Sequence, residues 1–323
     1  AAGTLAFTVA STVNQVGTTG DDTMAATAGN NNIDGRAGND TVVFAGTRAN
    51  YEIVKESGGY VVTARTGLDG KDLLLNVETL RFSNATLSVA YDDVVQALYV
   101  AYFGRAADTG GLANFQAQLA GLGAPRDFAG LSAAYSTHSG IRALIDSFGA
   151  SAESNALYAG NTTNFVTAVY RNIFNRDPDA GGLAFWVDAI DKAGLSKANA
   201  SLSIMAGALS NTTTQGKLDA ALVNNKTTIA TDFSFAIDTA AEVAGYSGNS
   251  AAATVRSMLS SVTASTDIAA FQATIKSVLD GLAGTTPGGT DEGISHSMVF
   301  PAQADAGIVL VGVQPVTELG VLA

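Results

Sequence analysis

Two different spacings of apolar residues divide this chain. Over residues 1–90 short stretches alternate apolar and polar positions, as strands do, and Gly58-Gly59 separates two of them, which indicates a hairpin at residues 51–63. Over residues 91–282 apolar residues recur at three- and four-residue intervals, which predicts amphipathic helices. Residues 283–323 begin with a Thr/Pro/Gly linker and return to a strand-like pattern. The pattern predicts a multidomain β + α protein with these three parts.

Within the first part, three consecutive nine-residue units run from Gly17 to Val43. They read GTTGDDTMA, ATAGNNNID and GRAGNDTVV. One register holds Gly20, Gly29 and Gly38; a second holds Asp22, Asn31 and Asp40; and a third holds the apolar Met24, Ile33 and Val42. Glycine permits sharp turns, and the apolar residue that follows the polar one is expected to point inward.

These units resemble the calcium-binding nonapeptide of RTX (hemolysin-type) proteins. The resemblance implies a short parallel β-roll in which two units form one turn, so Asp22 and Asp40 stack on the same side and share a Ca²⁺ ion, their carboxylates and nearby carbonyls being hard oxygen ligands. The predicted metal residues are Gly20, Asp22, Gly29, Asn31, Gly38 and Asp40. Because the Asn31 side chain is neutral, we expect a weaker site on its edge. The alternative is a periodic Gly/Asn/Asp-rich loop.

The segment DGKDLLLNVETLRFSN, residues 69–84, resembles the sequence that commonly follows RTX repeats. Asp69, Asp72, Asn76 and Glu78 are candidates for further calcium ligands. Capping of ordinary turns is the favoured interpretation of these four residues.

Composition narrows the classes of partner. The net charge is −12 and the first basic residue is Arg36, which argues against nucleic acid or an anionic membrane as the main partner. The absence of cysteine excludes disulfides and thiolate metal sites. No apolar stretch approaches the roughly 20 residues that a membrane span needs. No secretory signal is visible at the first residues, although one could have been removed.

The helical part contains an internal repeat at an offset of 71 residues, which aligns residues 99–115 with residues 170–186. Local chemistry explains most of it: Gly104 and Asn175 suit left-handed helix ends, and Asp108 and Asp179 suit the starts of the next helices. Shared residues that could serve structure or ligand binding are Tyr99, Arg105, Leu112 and Phe115 in the first copy and Tyr170, Arg176, Leu183 and Trp186 in the second. The structural role is favoured.

The repeat resembles the bacterial family catalogued as domain of unknown function 4214, which is distantly similar to phycobilisome linker repeats. Its hallmark, Tyr…Gly-Arg-x-x-Asp-x-x-Gly-Leu-x-x-Trp, is matched twice, with Phe115 in place of the tryptophan in the first copy and Asn175 in place of the first glycine in the second. The resemblance extends over about residues 92–240. It implies an extracellular scaffold or interaction role and supplies no catalytic residues.

Enzymatic motifs are missing from the sequence. His138 and His296 are the two histidines, and neither has a second ligand-type residue at metal spacing. No nucleophile elbow, phosphate-binding loop or dinucleotide fingerprint is present. We therefore expect a protein that is not an enzyme.

The resemblance to RTX proteins implies export by a type I apparatus that reads the C-terminal segment, followed by folding in extracellular calcium. We expect the strand-like segments at residues 4–13 and 307–322 to pair within one molecule, and the alternative is pairing between molecules. The favoured hypothesis is a secreted, calcium-binding structural protein of the bacterial cell surface or matrix that self-associates into a surface layer or filament. The alternative is an adhesin that binds glycan or an outer-membrane partner through a groove near Tyr99, Arg105, Arg176 and Trp186. A secreted enzyme or accessory protein is a remote third.

Overall fold

Strands precede helices in the fold. The computed structural model describes residues 12–284 except residues 57, 68 and 159. Its strands are β1 (Val13–Val16), β2 (Thr23–Ala25), β3 (Asn31–Asp34), β4 (Thr41–Val43), β5 (Tyr51–Glu56), β6 (Gly59–Ala64), β7 (Lys71–Leu75), β8 (Thr79–Arg81) and β9 (Thr86–Ser88). Its helices are α1 (Asp92–Phe103), α2 (Thr109–Gly121), α3 (Phe128–Thr137), α4 (Ser139–Ala150), α5 (Ala152–Tyr158), α6 (Thr162–Phe174), α7 (Ala180–Asp191), α8 (Lys197–Ser210), α9 (Thr214–Ala236), α10 (Ala240–Gly245), α11 (Gly248–Ser260) and α12 (Ile268–Gly284). The predicted order of a β part and an all-α part is confirmed.

Some predictions fall outside the described residues. They are the strand pattern at residues 4–11, the linker from residue 285 onward and the strand-like tail at 307–322. The division into three domains at residues 90 and 282 stays a prediction. In the structure β9 ends at Ser88 and α1 begins at Asp92.

The β part is a parallel roll. Strands β1, β3 and β7 lie side by side in one sheet, and β2, β4 and β8 lie side by side in a second. The chain passes from one sheet to the other after each strand of the roll, so residues eighteen apart pair in the first two turns, as Thr23 does with Thr41. The stacking of Asp22 beside Asp40 that the nonapeptide register predicts is therefore confirmed.

A hairpin interrupts the roll before its third turn. Strands β5 and β6 are antiparallel, as the sequence pattern predicts, and β6 pairs with β7 to extend the first sheet. Strand β7 also pairs in parallel with β3, and β8 pairs in parallel with β4. The third turn of the roll is thus displaced along the chain by the hairpin but stacks directly on the second.

Apolar side chains fill the space between the two sheets. Ile33 lies beside Leu74 in one sheet and Val42 beside Leu80 in the other, and all four are almost completely buried. Met24, from the first turn, is half-buried against the same core. The inward positions of the apolar nonapeptide residues are confirmed. Burial of these side chains stabilises the roll because it removes apolar area from water.

The turns of the helical repeat have the predicted caps. Gly104 and Asn175 end α1 and α6 with left-handed φ angles of 68° and 54°. Asp108 accepts a hydrogen bond from the Gly111 amide at the start of α2, and Asp179 does the same for Gly182 at the start of α7. Each carboxylate satisfies an amide that the first helical turn leaves without a partner.

The two copies of the repeat differ in burial. In α2, Leu112 and Phe115 are buried, whereas α7 has no fully buried residue and Phe185 is 63% exposed. Tyr99 and Arg105 are also buried. The charge of Arg105 is balanced by Glu153, and its guanidinium packs against the Tyr99 ring. The predicted groove near Tyr99 and Arg105 is therefore wrong, since neither side chain is on the surface.

One hydrophobic cluster joins the β part to the helices, and a second lies mainly among α9, α11 and α12. A polar network also crosses between the β part and the helices: Lys55 of β5 bonds to Asp92 through its side chain and to Asp232 of α9 through its backbone amide. Burial raises the pKa of Asp232 to about 7. The roll is consequently held against α9 and the start of α1, which fixes where the roll's turns lie relative to the helices.

Candidate calcium site

The turns between strands form two rows, one at each edge of the roll. The row formed by residues 17–22, 35–40 and 76–78 is called the first edge here. The row formed by residues 26–30 and 69–70 is called the second edge. Strand pairing places Asp22, Asp40 and Glu78 in equivalent positions of the first edge, each directly before a strand of the second sheet.

The three acidic residues of the first edge form a ladder. The Asp22 amide donates to Asp40 Oδ1 at 2.8 Å, and the Asp40 amide donates to Glu78 Oε2 at 2.7 Å. In each step one carboxylate oxygen accepts the amide of the preceding turn. The second carboxylate oxygen remains for another donor or for a cation.

The Asp40 carboxylate has an oxygen without a partner in the described residues. Asp40 is fully buried, and its Oδ2 accepts no hydrogen bond. Two other enclosed carboxylate oxygens without hydrogen bonds, on Asp108 and Asp238, lie 3.7 Å and 2.8 Å from arginine nitrogens. A buried carboxylate oxygen with no donor is costly, by about 1–3 kcal/mol or more, so a bound cation is its natural partner.

Glycine at position 35 lets the backbone approach Asp40 closely. A Cβ atom on Gly35 would lie 2.5 Å from Asp40 Oδ2 and 2.1 Å from the Asn76 carbonyl oxygen. Neither distance is possible for a real side chain, and the second contact is with backbone. The unpaired oxygen therefore lies against the backbone at position 35, where only glycine fits.

The other predicted residues of the first edge lie around Asp40. Asp22 Oδ2 accepts hydrogen bonds from the amide and hydroxyl of Thr18, which fixes its orientation. Gly38 has a φ of 139° and packs so closely on the first turn that a Cβ would lie 2.6 Å from the Gly20 carbonyl oxygen. The structure thus brings Gly20, Asp22, Gly38 and Asp40 together.

The donor set suits Ca²⁺. In the described residues no group of three or more His, Cys, Asp and Glu side chains is placed to hold a metal ion. Calcium also accepts backbone carbonyl oxygens, and an edge with two carboxylates among turn carbonyls offers both kinds of ligand. The residues of the first edge therefore fit calcium, and the role of Asp22 and Asp40 as its charged ligands stays a prediction.

On the second edge an amide nitrogen takes the central position. Asn31 Nδ2 donates to the carbonyl oxygens of Thr27 and Gly29, at 2.8 Å and 3.1 Å, and to Asp72 Oδ1 at 2.7 Å. Asn31 is fully buried. Three oxygens that could ligate a cation thus converge on a protein nitrogen. Gly29 and Asn31 lie together as predicted, and their role as metal residues stays a prediction.

Asp72 accepts a hydrogen bond from the backbone amide of Asn31, as Glu78 accepts one from the backbone amide of Asp40. The acceptor in Asp72 is again Oδ1, at 2.8 Å from the amide nitrogen. Burial raises the pKa of Asp72, and the two hydrogen bonds from Asn31 oppose that rise. The turn-capping interpretation of Asp72 and Glu78 agrees with these hydrogen bonds. Their equivalence to the nonapeptide aspartates cannot be seen in the sequence, because the hairpin separates these two residues from the repeat.

Replacing Asn31 with aspartate is expected to create a calcium site on the second edge. The Asn31→Asp variant loses the donated hydrogen bonds and places a second carboxylate beside Asp72 and two carbonyl oxygens. We expect it to be less stable than the wild type in chelator and to bind one additional Ca²⁺ per chain in equilibrium dialysis. Asn32→Asp, one residue later and exposed, is the matched control. An unchanged ion count in the Asn31 variant would contradict the prediction.

A parallel roll with acidic, glycine-rich turns defines a calcium-binding β-roll. Comparison with known families agrees with this class: residues 16–46 match the RTX calcium-binding nonapeptide repeat (4 copies), and residues 145–209 match the domain of unknown function DUF4214. The second match spans the region from α4 to α8 and contains the second copy of the repeat. No curated protein and no solved structure matches the chain.

Both family resemblances noted in the sequence are thereby confirmed, the helical one over a shorter range than residues 92–240. RTX nonapeptides are calcium-binding motifs, so the expected cofactor, Ca²⁺, is supported as well. Proteins with RTX repeats are typically secreted. Among the described helices, none has the length and apolar character of a membrane span.

Proposed function

We propose that this protein is a secreted structural protein whose roll folds around calcium and which self-associates on the bacterial cell surface or in the matrix. The observation that supports calcium binding is the buried Asp40 Oδ2, which has no hydrogen-bond partner in the described residues. Calcium supplies the positive charge that this carboxylate lacks. The protein's own residues, Asp22 and Asp40 with the neighbouring turn carbonyls, hold the ion between successive turns of the first edge.

Calcium dependence suits export by a type I route. The ion is scarce inside cells and abundant outside, so a roll that needs it stays loose before export and folds afterwards. The net charge of −12 increases this effect, because the carboxylates repel one another until a cation is bound. Such a chain needs no disulfide, which agrees with its lack of cysteine.

Self-association into a layer or filament is the proposed role of the folded protein, without enzymatic activity. Electron microscopy in millimolar calcium and in chelator tests it, with the Asp40→Asn variant as a second calcium-free state. We expect ordered assemblies from the wild type in calcium and none in the other two samples. Monodisperse wild-type protein in calcium, by light scattering at the same concentration, would contradict self-association.

A binding role of the adhesin type is the second candidate, and helix α7 favours it. Phe185 is 63% exposed, and Trp186 beside it is half-buried. In the first copy the residue equivalent to Phe185 is the polar Asn114, and the residue equivalent to Trp186 is the buried Phe115, so α7 exposes more apolar surface than α2 does. A Phe185→Ser variant that assembles normally but no longer binds glycans or surface partners would favour this function over self-association.

A further inference from the structure

The ladder of the first edge ends in a charged group from the helical part. Arg126 lies between α2 and α3, and its Nη1 donates to Glu78 Oε1 at 2.8 Å. Its Nη2 donates to Asn39 Oδ1. The guanidinium thus bridges two successive turns of the first edge, residues 35–40 and residues 76–78.

The position of Arg126 is set by packing of the α2–α3 connection. The hydroxyl group of Tyr91, next to the start of α1, donates to the Ala124 carbonyl oxygen at 2.8 Å. The Arg126 guanidinium lies over the Tyr91 ring, 5.8 Å from its centre. Asp127 caps α3 by accepting the Gly130 amide. These contacts hold the connection beside the roll and direct the arginine at Glu78.

Asp40 and Glu78 occupy equivalent positions in the ladder, and they differ in the hydrogen-bond partner of their second carboxylate oxygen. Each carboxylate accepts the amide of the preceding turn through one oxygen. The second oxygen of Glu78 accepts a hydrogen bond from the Arg126 guanidinium, whereas the second oxygen of Asp40 has no hydrogen-bond partner in the described residues. Arg126 therefore supplies to Glu78 the positive charge that a bound cation would supply to Asp40.

We propose that Arg126 is a built-in cation of the ladder: it fills at Glu78 the place that calcium fills at Asp40. This rests on the proposed calcium binding at the first edge. The consequence is that the first edge takes calcium at Asp40 but not at Glu78, because the helical part already supplies the positive charge there. The guanidinium also ties turn 35–40, which carries Asp40, to the α2–α3 connection.

The ion count of an Arg126→Ala variant tests the proposal. Removing the guanidinium leaves Glu78 Oε1 and Asn39 Oδ1 without their cation, so the variant is expected to bind one more Ca²⁺ per chain than the wild type, measured by equilibrium dialysis with radioactive calcium. The double variant Glu78→Gln, Arg126→Ala should return to the wild-type count. Arg126→Lys, which keeps the charge, should also keep the wild-type count.

Thermal unfolding gives a second measurement. In chelator the Arg126→Ala variant should melt below the wild type, and calcium should raise its melting temperature by more than it raises that of the wild type. Arg171→Ala is the matched control, because Arg171 forms an exposed ion pair with Asp177 within the helical part. Arg126→Gln serves the same test if the alanine variant does not fold.

The outcomes separate this proposal from the proposed function. Equal ion counts and equal calcium responses in the wild type and the Arg126 variants would overturn the role of the arginine, even if the wild type binds calcium. A wild type that binds no calcium would overturn the proposed function. An additional ion in the Arg126→Ala variant, measured beside a wild type that binds calcium, would support the arginine's role.

Discussion

Asp40→Asn is expected to remove most of the calcium-dependent stabilisation of this protein and to raise its melting temperature in chelator. The variant keeps an oxygen for the Asp22 amide, which Asp40 Oδ1 accepts at 2.8 Å. Its amide nitrogen replaces the oxygen that has no donor in the described residues and can donate to neighbouring carbonyl oxygens. Asn31 Nδ2 already makes such contacts on the second edge.

Asp40→Asn is expected to change stability in opposite directions in chelator and in calcium. Without calcium the wild type holds a buried carboxylate oxygen that lacks a donor, which costs about 1–3 kcal/mol. With calcium at about 100 times its Kd, binding adds about 2.7 kcal/mol to the stability of the wild type. The melting curves of the two proteins should therefore change order: the variant melts higher in chelator, and the wild type melts higher in calcium.

Asp188→Asn is the matched control for Asp40→Asn. The Asp188 side chain is 57% exposed and pairs with Lys192 on the surface of α7. Its replacement makes the same chemical change and should leave the calcium-induced rise in melting temperature as in the wild type. If Asp40→Asn keeps the full calcium response, the ion does not bind at Asp40.

The sequence predicts the roll well because its signal is local and repeats at a fixed interval. Eighteen residues separate Asp22 from Asp40, so their stacking follows from the register alone. The third turn is different: 38 residues separate Asp40 from Glu78, and 41 separate Asn31 from Asp72. The hairpin accounts for both larger intervals, and Glu78 and Asp72 are consequently recognisable as rungs only once strand pairing is known.

The partners of individual polar groups could not be predicted from spacing. A neutral Asn31 suggests a weaker site, but only the structure shows its amide nitrogen among three oxygens. Arg126 carries no motif at all, and its contact with Glu78 depends on how the α2–α3 connection packs. Local capping residues such as Asp108 and Asp179 were predictable because each acts on an amide three residues away.

The same limit applies to the two arginines of the helical repeat. Arg105 and Arg176 occupy equivalent motif positions, yet the first side chain is 2% exposed and the second 42%. Arg105 donates to both carboxylate oxygens of Glu153, at 2.8 Å and 2.6 Å. Arg176 donates to Asp219 at 2.6 Å. One motif thus yields a buried ion pair in one copy and a half-exposed pair in the other.

Glu153→Gln is expected to lower the free energy of unfolding by about 3–5 kcal/mol, because it leaves the buried Arg105 guanidinium with only the more distant Asp108 carboxylate, at 3.7 Å, as a countercharge. Glu153 also accepts a hydrogen bond from Arg256 of α11 at 3.2 Å, so the change loosens the contact between the α1–α2 turn, α5 and α11. Chemical denaturation followed by circular dichroism at 222 nm measures the effect. A loss below about 1 kcal/mol would show that the pair contributes no more than a surface pair does.

The repeat supplies the control for this prediction. Asp219→Asn removes the countercharge of Arg176, and because that guanidinium still reaches water the expected loss is about 1 kcal/mol or less. Combining Glu153→Gln with Arg105→Met should recover part of the stability, since the uncompensated buried charge is then gone. Recovery in the double variant, together with the small effect at Asp219, would locate the cost in desolvation of the Arg105 charge. Equal losses at the two carboxylates would instead mean that the shared motif, and not burial, sets the contribution of each pair.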